Sequence, residues 1–248
     1  MESLRELEER RAHELRLTPD RALESLDETA AFLRERGLLT RTPDSALPSF
    51  FGACHEEPYL AGRGGFAEWP ATKYPWYFDL AKRAGAHELW IHNGKSILLT
   101  DETLALADPI LRAELARVER TDPQWTRVLR HLADAGPSTK EDLHVELDLK
   151  PKEAKLVLSP LLRVGAVVRR GDDYLRYDQA HPEPSVGGGL DDLVVAAVRA
   201  AVVAPEAEVA RKWFSWRWLF EADLVDRLVA QGRLERPTPG FVTAPASG

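Results

Sequence analysis

The chain has 248 residues, of which 44% are hydrophobic, and a formal net charge of -7 at pH 7. This length and composition are typical of a folded protein of two or a few domains, and they argue against a disordered chain. The negative charge excludes nonspecific coating of nucleic acid, because that mode of binding needs an excess of lysine and arginine.

Cysteine content and hydropathy narrow the choice of compartment. Cys54 is the single cysteine, so the chain forms no internal disulfide. The sequence has neither a signal-peptide pattern nor a run of about 18 apolar residues. We therefore expect a cytoplasmic protein with no membrane partner.

The N-terminal part of the chain predicts several helices, one irregular segment and one β-hairpin. Thr18 and Pro19 are typical of a helix start, and Gly37 ends that helix. The Asn93-Gly94 dipeptide favours a tight hairpin turn. In chain order, the predicted elements are a helix over 3–15, a helix over 18–37, an irregular segment over 42–75, a helix over 76–84, a hairpin over 88–99, and a helix over 101–120 that a proline kinks or divides.

The segment 123–178 predicts a complete winged helix-turn-helix, which is three helices followed by a two-stranded wing. Gly136 ends the first helix, and Ser138 with Glu141 forms a capping box that begins the second. The predicted elements are a first helix up to 135, a second through 147, a third from 151 to 164, and strands over 166–170 and 174–177.

A helix end followed by glycine and a short apolar strand with trailing arginine recurs in the chain. Gly165 and Gly232 occupy the left-handed cap position in the two clearest copies. Such repetition predicts tandem winged helices. The copies lie at 161–170, at 228–236 and, more weakly, at 32–41.

These repeats divide the chain into predicted domains. They are an N-terminal helical module with an aromatic-rich loop and the hairpin over 1–121, a central winged helix over 122–180, a flexible linker over 181–189, and a C-terminal winged helix over 190–248. The C-terminal winged helix is predicted to have helices at 190–203, 205–212 and 216–231.

Positive charge is concentrated over 150–171, where six bases stand against one acid. The N-terminal end of the third helix of a helix-turn-helix enters the major groove, where long basic side chains reach phosphates and guanine edges. The alternative is that these lysines only solubilise the helix. The predicted DNA contacts on this helix and at the base of the wing are Lys150, Lys152, Lys155, Arg169 and Arg170.

Three bases and four aromatic residues occupy 211–218 together, without an acid. Such a segment either stacks on nucleic-acid bases or forms the core of a small domain. We expect two of the aromatic side chains to be buried, and Trp216 with Arg217 to be exposed. The second predicted set of DNA contacts is Arg211, Lys212, Trp216 and Arg217.

Residues around Cys54 resemble metal ligands in type but not in spacing, so we expect no metal and no cofactor. Glu56 or Glu57 would be a general base if buried, because desolvation raises the pKa of a carboxylate. The sequence has no nucleophile-elbow motif and no phosphate-binding glycine loop. A protein without catalytic activity is therefore the favoured interpretation.

Several segments together resemble a known family. They are the tandem modules, the Ala-Leu-Pro-Ser segment at 46–49, the Trp76-Tyr77 stretch and the hairpin over 88–99. In combination they are similar to the AlkZ (YcaQ) family of winged-helix DNA glycosylases. The resemblance implies winged-helix modules stacked around a DNA channel, in a protein that binds DNA and takes part in its repair.

Members of that family excise alkylated and crosslinked bases with a short motif that contains glutamine. The glutamines of this chain are Gln124, Gln179 and Gln231, and none is followed two positions later by Gln or Asp. The resemblance therefore implies the architecture and DNA binding, and it does not carry the catalytic activity over.

The sequence as a whole predicts an α+β fold that is mainly α with small β wings, built from tandem winged helix-turn-helix modules. The favoured function is binding of double-stranded DNA, in repair or regulation. Two alternatives stay open. One is a DNA glycosylase in which Glu56 or Glu57 replaces the glutamine motif. The other is a protein-interaction scaffold in which the third helices pack against a partner.

Overall fold

One order of elements, helix, strand, helix, helix, strand, strand, occurs three times along the chain. The computed structural model describes residues 3–56, 70–209, 211 and 213–245. It is an α+β fold with three small antiparallel sheets of three strands each. In every sheet the third strand of the repeat lies between the first and the second. The α+β prediction is therefore confirmed.

The N-terminal repeat begins later than predicted. Only a single helical turn, Pro19–Arg21, follows Thr18. The next helix begins after Ser25, because the Ser25 hydroxyl accepts a hydrogen bond from the Glu28 amide at 3.1 Å. The elements are α1 (Leu4–Glu14), α2 (Leu26–Arg36), β1 (Leu38–Thr40), α3 (Phe50–Cys54), α4 (Pro75–Leu80), β2 (His87–His92) and β3 (Lys95–Leu99).

The central repeat has the three predicted helices and the two predicted wing strands, and it also has a short strand, Ser138–Thr139, that was not predicted. Its capping box is displaced by one residue, since Thr139 and Asp142 form it in place of Ser138 and Glu141. The helix that precedes the repeat continues through Pro109 without division. The elements are α5 (Asp101–Val118), α6 (Pro123–Ala135), β4 (Ser138–Thr139), α7 (Lys140–Glu146), α8 (Pro151–Val164), β5 (Val167–Arg170) and β6 (Asp173–Arg176).

The C-terminal repeat has shorter helices than predicted. The helix expected over 216–231 is a single turn at Arg217–Leu219 followed by a separate helix from Leu224. The elements are α9 (Tyr177–Ala180), α10 (Leu190–Ala201), β7 (Val203–Pro205), α11 (Glu206–Val209), α12 (Leu224–Ala230), β8 (Glu235–Thr238) and β9 (Phe241–Thr243).

A glycine between the third helix and the strand that follows it has a left-handed backbone in all three repeats. Gly165 has φ 78° and Gly232 has φ 68°, as the repeat predicts. In the N-terminal repeat the equivalent residue is Gly85, with φ 76°, between α4 and β2. The copy predicted at 32–41 instead joins the first helix to the first strand. That assignment was wrong because Gly37 caps its own helix in the same way.

The segment 181–189, predicted to be a flexible linker, is held against α5. The Ser185 amide donates to the buried Asp108 carboxylate at 2.9 Å, and the Gly189 amide donates to the Leu106 carbonyl at 2.9 Å. The Tyr177 hydroxyl also donates to Asp108 at 2.7 Å. Because Asp108 binds both Tyr177 of α9 and Ser185 of this segment, the segment has a fixed path.

Residues 213–216, here called the aromatic segment, join the three repeats into one core. Trp213, Phe214 and Trp216 are at most 1% exposed. The Ser215 amide donates to the Ile91 carbonyl of β2 at 2.8 Å. The Trp216 indole donates to the carbonyl of Val164, the last residue of α8, at 3.0 Å. One hydrophobic cluster runs from the N-terminal repeat through the central to the C-terminal repeat as a result.

We predict that Trp216→Ala lowers the free energy of unfolding by about 3–5 kcal/mol, because it leaves a cavity and removes the donor to the Val164 carbonyl. Trp218→Ala is the matched control, since Trp218 is 53% exposed. We expect the control to cost about 1 kcal/mol. Urea denaturation measures both. Equal losses in the two variants would contradict the joining role of the aromatic segment.

Candidate nucleic-acid interface

Helix α8 exposes one face of its N-terminal half and buries the opposite face along its length. Lys152 and Lys155 are exposed, and Leu156 is 72% exposed. At the other end, Gly165 is so close to α5 that a Cβ there would lie 2.1 Å from a Leu111 methyl carbon. The buried face that holds the helix on the core consists of Ala154, Val157, Leu158, Leu161 and Val164.

The lysine side chains at the exposed end of α8 have no acidic partner in the described part of the chain. Within the described ranges, no carboxylate lies within ion-pairing distance of Lys150, Lys152 or Lys155. Glu153, the one acid on this turn, accepts instead from the Lys150 backbone amide at 2.9 Å. The preceding helix α7 has an acidic sequence, with Glu141 among its acids. Helix α7 is therefore acidic, whereas α8 and the strand that follows it are basic.

The β5–β6 hairpin carries the two predicted arginines, and their environments differ. Arg169 donates to the Gly171 carbonyl at 2.7 Å and pairs with Asp172 at 3.0 Å. Arg170 donates to the Ala180 carbonyl at 2.8 Å. Among the residues that the structure describes, no carboxylate pairs with Arg170. Its charge is therefore the less compensated of the two.

Both arginines line a cleft of about 660 Å³, here called the inter-repeat cleft, between the α4–β2 connection and the β5–β6 hairpin. No local sequence pattern indicated the residues on the other side of this cleft. Its residues come from the N-terminal repeat, which meets the central repeat only in the folded chain. The residues that sequence reasoning missed include Arg41, Phe78, Arg83 and Trp90.

Two histidines pack against each other beside this cleft. The rings of His87 and His181 are 5.2 Å apart between centroids, and His87 Nε2 lies 2.7 Å from an Asp101 carboxylate oxygen. Burial lowers the pKa of His181 to about 4, and the nearby His87 and Arg170 act in the same direction. His181 is therefore neutral at pH 7.

The second predicted set of contacts is only partly exposed. Arg211 and Arg217 are exposed, whereas Lys212 lies outside the described residues. The expectation that Trp216 is exposed was wrong, because its ring stacks on Phe214 at 5.6 Å and is fully buried. Trp218 is the exposed aromatic residue of this segment.

Glu56 does not have the environment of a general base. Its carboxylate accepts hydrogen bonds from the Thr72 amide at 2.8 Å, the Thr72 hydroxyl at 2.6 Å and the Lys73 amide at 3.0 Å. Partial burial raises the pKa of Glu56, but these bonds together outweigh it and hold the pKa below its usual value. Glu57, the other candidate, lies outside the described residues.

The described part of the chain contains neither a cluster of metal ligands nor a membrane-spanning helix. Over the described ranges, no three His, Cys, Asp or Glu side chains are grouped to hold a metal ion. No helix there combines the length and the apolar character needed to cross a membrane. Comparison of the chain with family models, with characterised proteins and with solved structures gave no match.

We predict that the free energy of unfolding falls as the pH falls, because His181 takes up a proton more readily in the unfolded chain than in the folded one. Its pKa is about 4 in the folded chain and about 6.5 in an unfolded one, so only the unfolded chain takes up this proton between those values. Stability should therefore decrease from pH 6.5 to pH 4, and His181→Asn should show a shallower decrease. Urea denaturation across this range measures the effect, and identical slopes for the two proteins would contradict it.

Proposed function

We propose that the chain binds double-stranded DNA, and that each of its three repeats is a winged helix-turn-helix module. The observation that carries the proposal is the exposed end of α8, where Lys150, Lys152 and Lys155 have no carboxylate partners in the described residues. In a helix-turn-helix this end of the third helix enters the major groove. The resemblance of the sequence to the AlkZ (YcaQ) family supports the same architecture.

The residue types on α8 suit contacts both to the phosphates and to the base edges of DNA. Lysines without intramolecular partners reach phosphates and guanine edges without first breaking an ion pair. Leu156, which is 72% exposed, offers an apolar contact of the kind that thymine methyl groups accept. On the hairpin that follows, Arg169 and Arg170 are the proposed contacts to the DNA backbone or the minor groove.

The overall charge of the chain favours a localised contact. With a net charge of -7, most of the surface repels DNA, so attraction is restricted to places where bases outnumber acids. The span from Lys150 to Gly171 is such a place, with six bases and one acid. Binding should therefore depend steeply on salt concentration, because each phosphate contact releases counterions.

The aromatic segment gives the modules fixed relative positions. A duplex that lies on α8 therefore meets the other repeats in a single arrangement. Arg211 and Arg217 are exposed bases of the C-terminal repeat and form the proposed second set of contacts.

We do not extend the proposal to base excision. The glutamines of the chain do not form the motif of the glycosylase family, and the hydrogen bonds to Glu56 lower its pKa. Binding of a protein partner by α8 is the outcome to expect if DNA does not bind.

We predict that replacing Lys152 and Lys155 together by alanine weakens binding of a labelled duplex at least about tenfold at low salt. The slope of log affinity against log salt should also fall by about 2, since each lost phosphate contact removes about 0.9. Fluorescence anisotropy between about 50 and 200 mM salt measures both quantities, with intact and alkylated duplexes compared.

The control for this experiment is Arg127→Ala with Arg130→Ala, which removes the same charge from exposed positions of α6. We expect the control to keep most of the affinity. An equal loss in both double variants would show a response to net charge alone and would contradict the α8 assignment. Absence of duplex binding by the unaltered protein would overturn the proposed function.

A further inference from the structure

The inter-repeat cleft lies where the edges of two sheets meet. Strand β2 is an edge strand of the first sheet and β5 is an edge strand of the second. The cleft opens between the start of β2 and the end of β5, with His87 and Arg170 among its lining residues. Its volume of about 660 Å³ is in the range of pockets that hold small ligands.

Bases dominate the wall of this cleft. Its charged lining residues are Arg41, Lys82, Arg83, Arg169, Arg170 and a single acid, Glu88. The Ser96 hydroxyl donates to Glu88. The aspartates that pair with Arg83 and Arg169 have side chains 86% and 92% exposed. Ion pairs that exposed are weak, so these arginines can exchange their partners for a bound anion at little cost.

Besides its positive charge, the cleft has aromatic lining residues and a hydrogen-bond donor, the Trp90 indole N–H. Phe78 and Trp90 line the same cleft. The Trp90 indole nitrogen is buried, and it has no hydrogen-bond partner among the described residues. A buried tryptophan N–H normally has a partner, so this donor is suited to an acceptor atom on a ligand.

We propose that the inter-repeat cleft binds a nucleotide-sized phosphate ester, with its phosphate on Arg170 and Arg41 and its planar ring against Trp90. Aromatic stacking and arginine contacts to phosphate are two interactions by which proteins hold nucleotides. The site goes beyond the duplex binding proposed above, because it shares Arg170 with the hairpin contacts but involves neither Lys152 nor Lys155. The nucleotide is either free or part of a strand, and the two sources share this chemistry.

Isothermal titration with deoxyadenosine monophosphate tests the proposal, with deoxyadenosine and inorganic phosphate as partial ligands. We expect the monophosphate to bind at least about tenfold more tightly than either part, since each part keeps only one of the two interactions. Arg170→Ala should weaken its binding about tenfold, and Arg130→Ala, at an exposed position outside the cleft, should not change it. Trp90→Ala should have an effect of similar size, with thermal melting used to check that this variant folds.

A short single-stranded oligonucleotide distinguishes the two sources. Competition with the monophosphate that depends on Arg170 would assign the site to a nucleotide within a strand, and binding of the monophosphate alone would assign it to a free nucleotide. Failure of both to bind would overturn the proposal, as would equal affinity for inorganic phosphate and the monophosphate, or an equal loss in Arg130→Ala.

The outcome is separable from that of the duplex experiment. The Lys152→Ala, Lys155→Ala protein should bind the monophosphate as the unaltered protein does while its duplex affinity falls. Nucleotide binding without duplex binding would support the cleft and overturn the proposed function. Duplex binding without nucleotide or oligonucleotide binding in the cleft would support the proposed function and overturn the nucleotide site.

Discussion

The hydrogen bond from the Trp216 indole to the Val164 carbonyl is the contact on which the arrangement of the repeats depends. It satisfies a backbone acceptor at the C-terminal end of α8, where helical carbonyls lack partners within the helix. Ser215 binds the end of β2 from the adjoining position of the same segment. Four residues of the C-terminal repeat thus fix the other two repeats to each other. Each buried aromatic ring removes about 150–250 Å² from water, which makes the junction a core and not a surface contact.

Burial of one end of α8 determines what its other end presents. Because Val164 and Gly165 pack against α5, β2 and Trp216, the C-terminal end of the helix is fixed on the core, and Lys152 and Lys155 lie on the exposed face of its first two turns. The same junction brings β5 alongside β2 and so forms the inter-repeat cleft beneath Arg170. The proposed duplex contact and the proposed nucleotide site are therefore two consequences of one packing arrangement.

Local sequence patterns predicted the fold well where local interactions decide it. The left-handed glycine at 165 and the three helices and two wing strands of the central repeat follow from capping and periodicity, and both were confirmed, whereas strand β4 was not predicted. The predicted start of α2 was wrong because Ser25 is the residue whose hydroxyl caps the helix, although Thr18 and Pro19 match the same pattern. Competing caps of similar strength cannot be ranked without tertiary contacts.

The candidate sites were less predictable because they depend on contacts between repeats. Trp216 stands among bases, which is typical of an exposed nucleic-acid contact, yet its partner is a carbonyl 52 positions earlier. Arg41 and Trp90 have no feature in their own segments that relates them to Arg170. The lysines of α8 were predictable in type and in position, since helical periodicity alone separates the exposed face of that helix from its buried face.

Lysine acetylation footprinting of the protein with and without duplex DNA tests the central claim most directly. The account predicts that duplex protects Lys150, Lys152 and Lys155 from the reagent, while Lys95, which pairs with Asp44, is labelled to the same extent in both states. Saturating duplex that leaves the three α8 lysines fully reactive would contradict the claim that this helix enters the major groove.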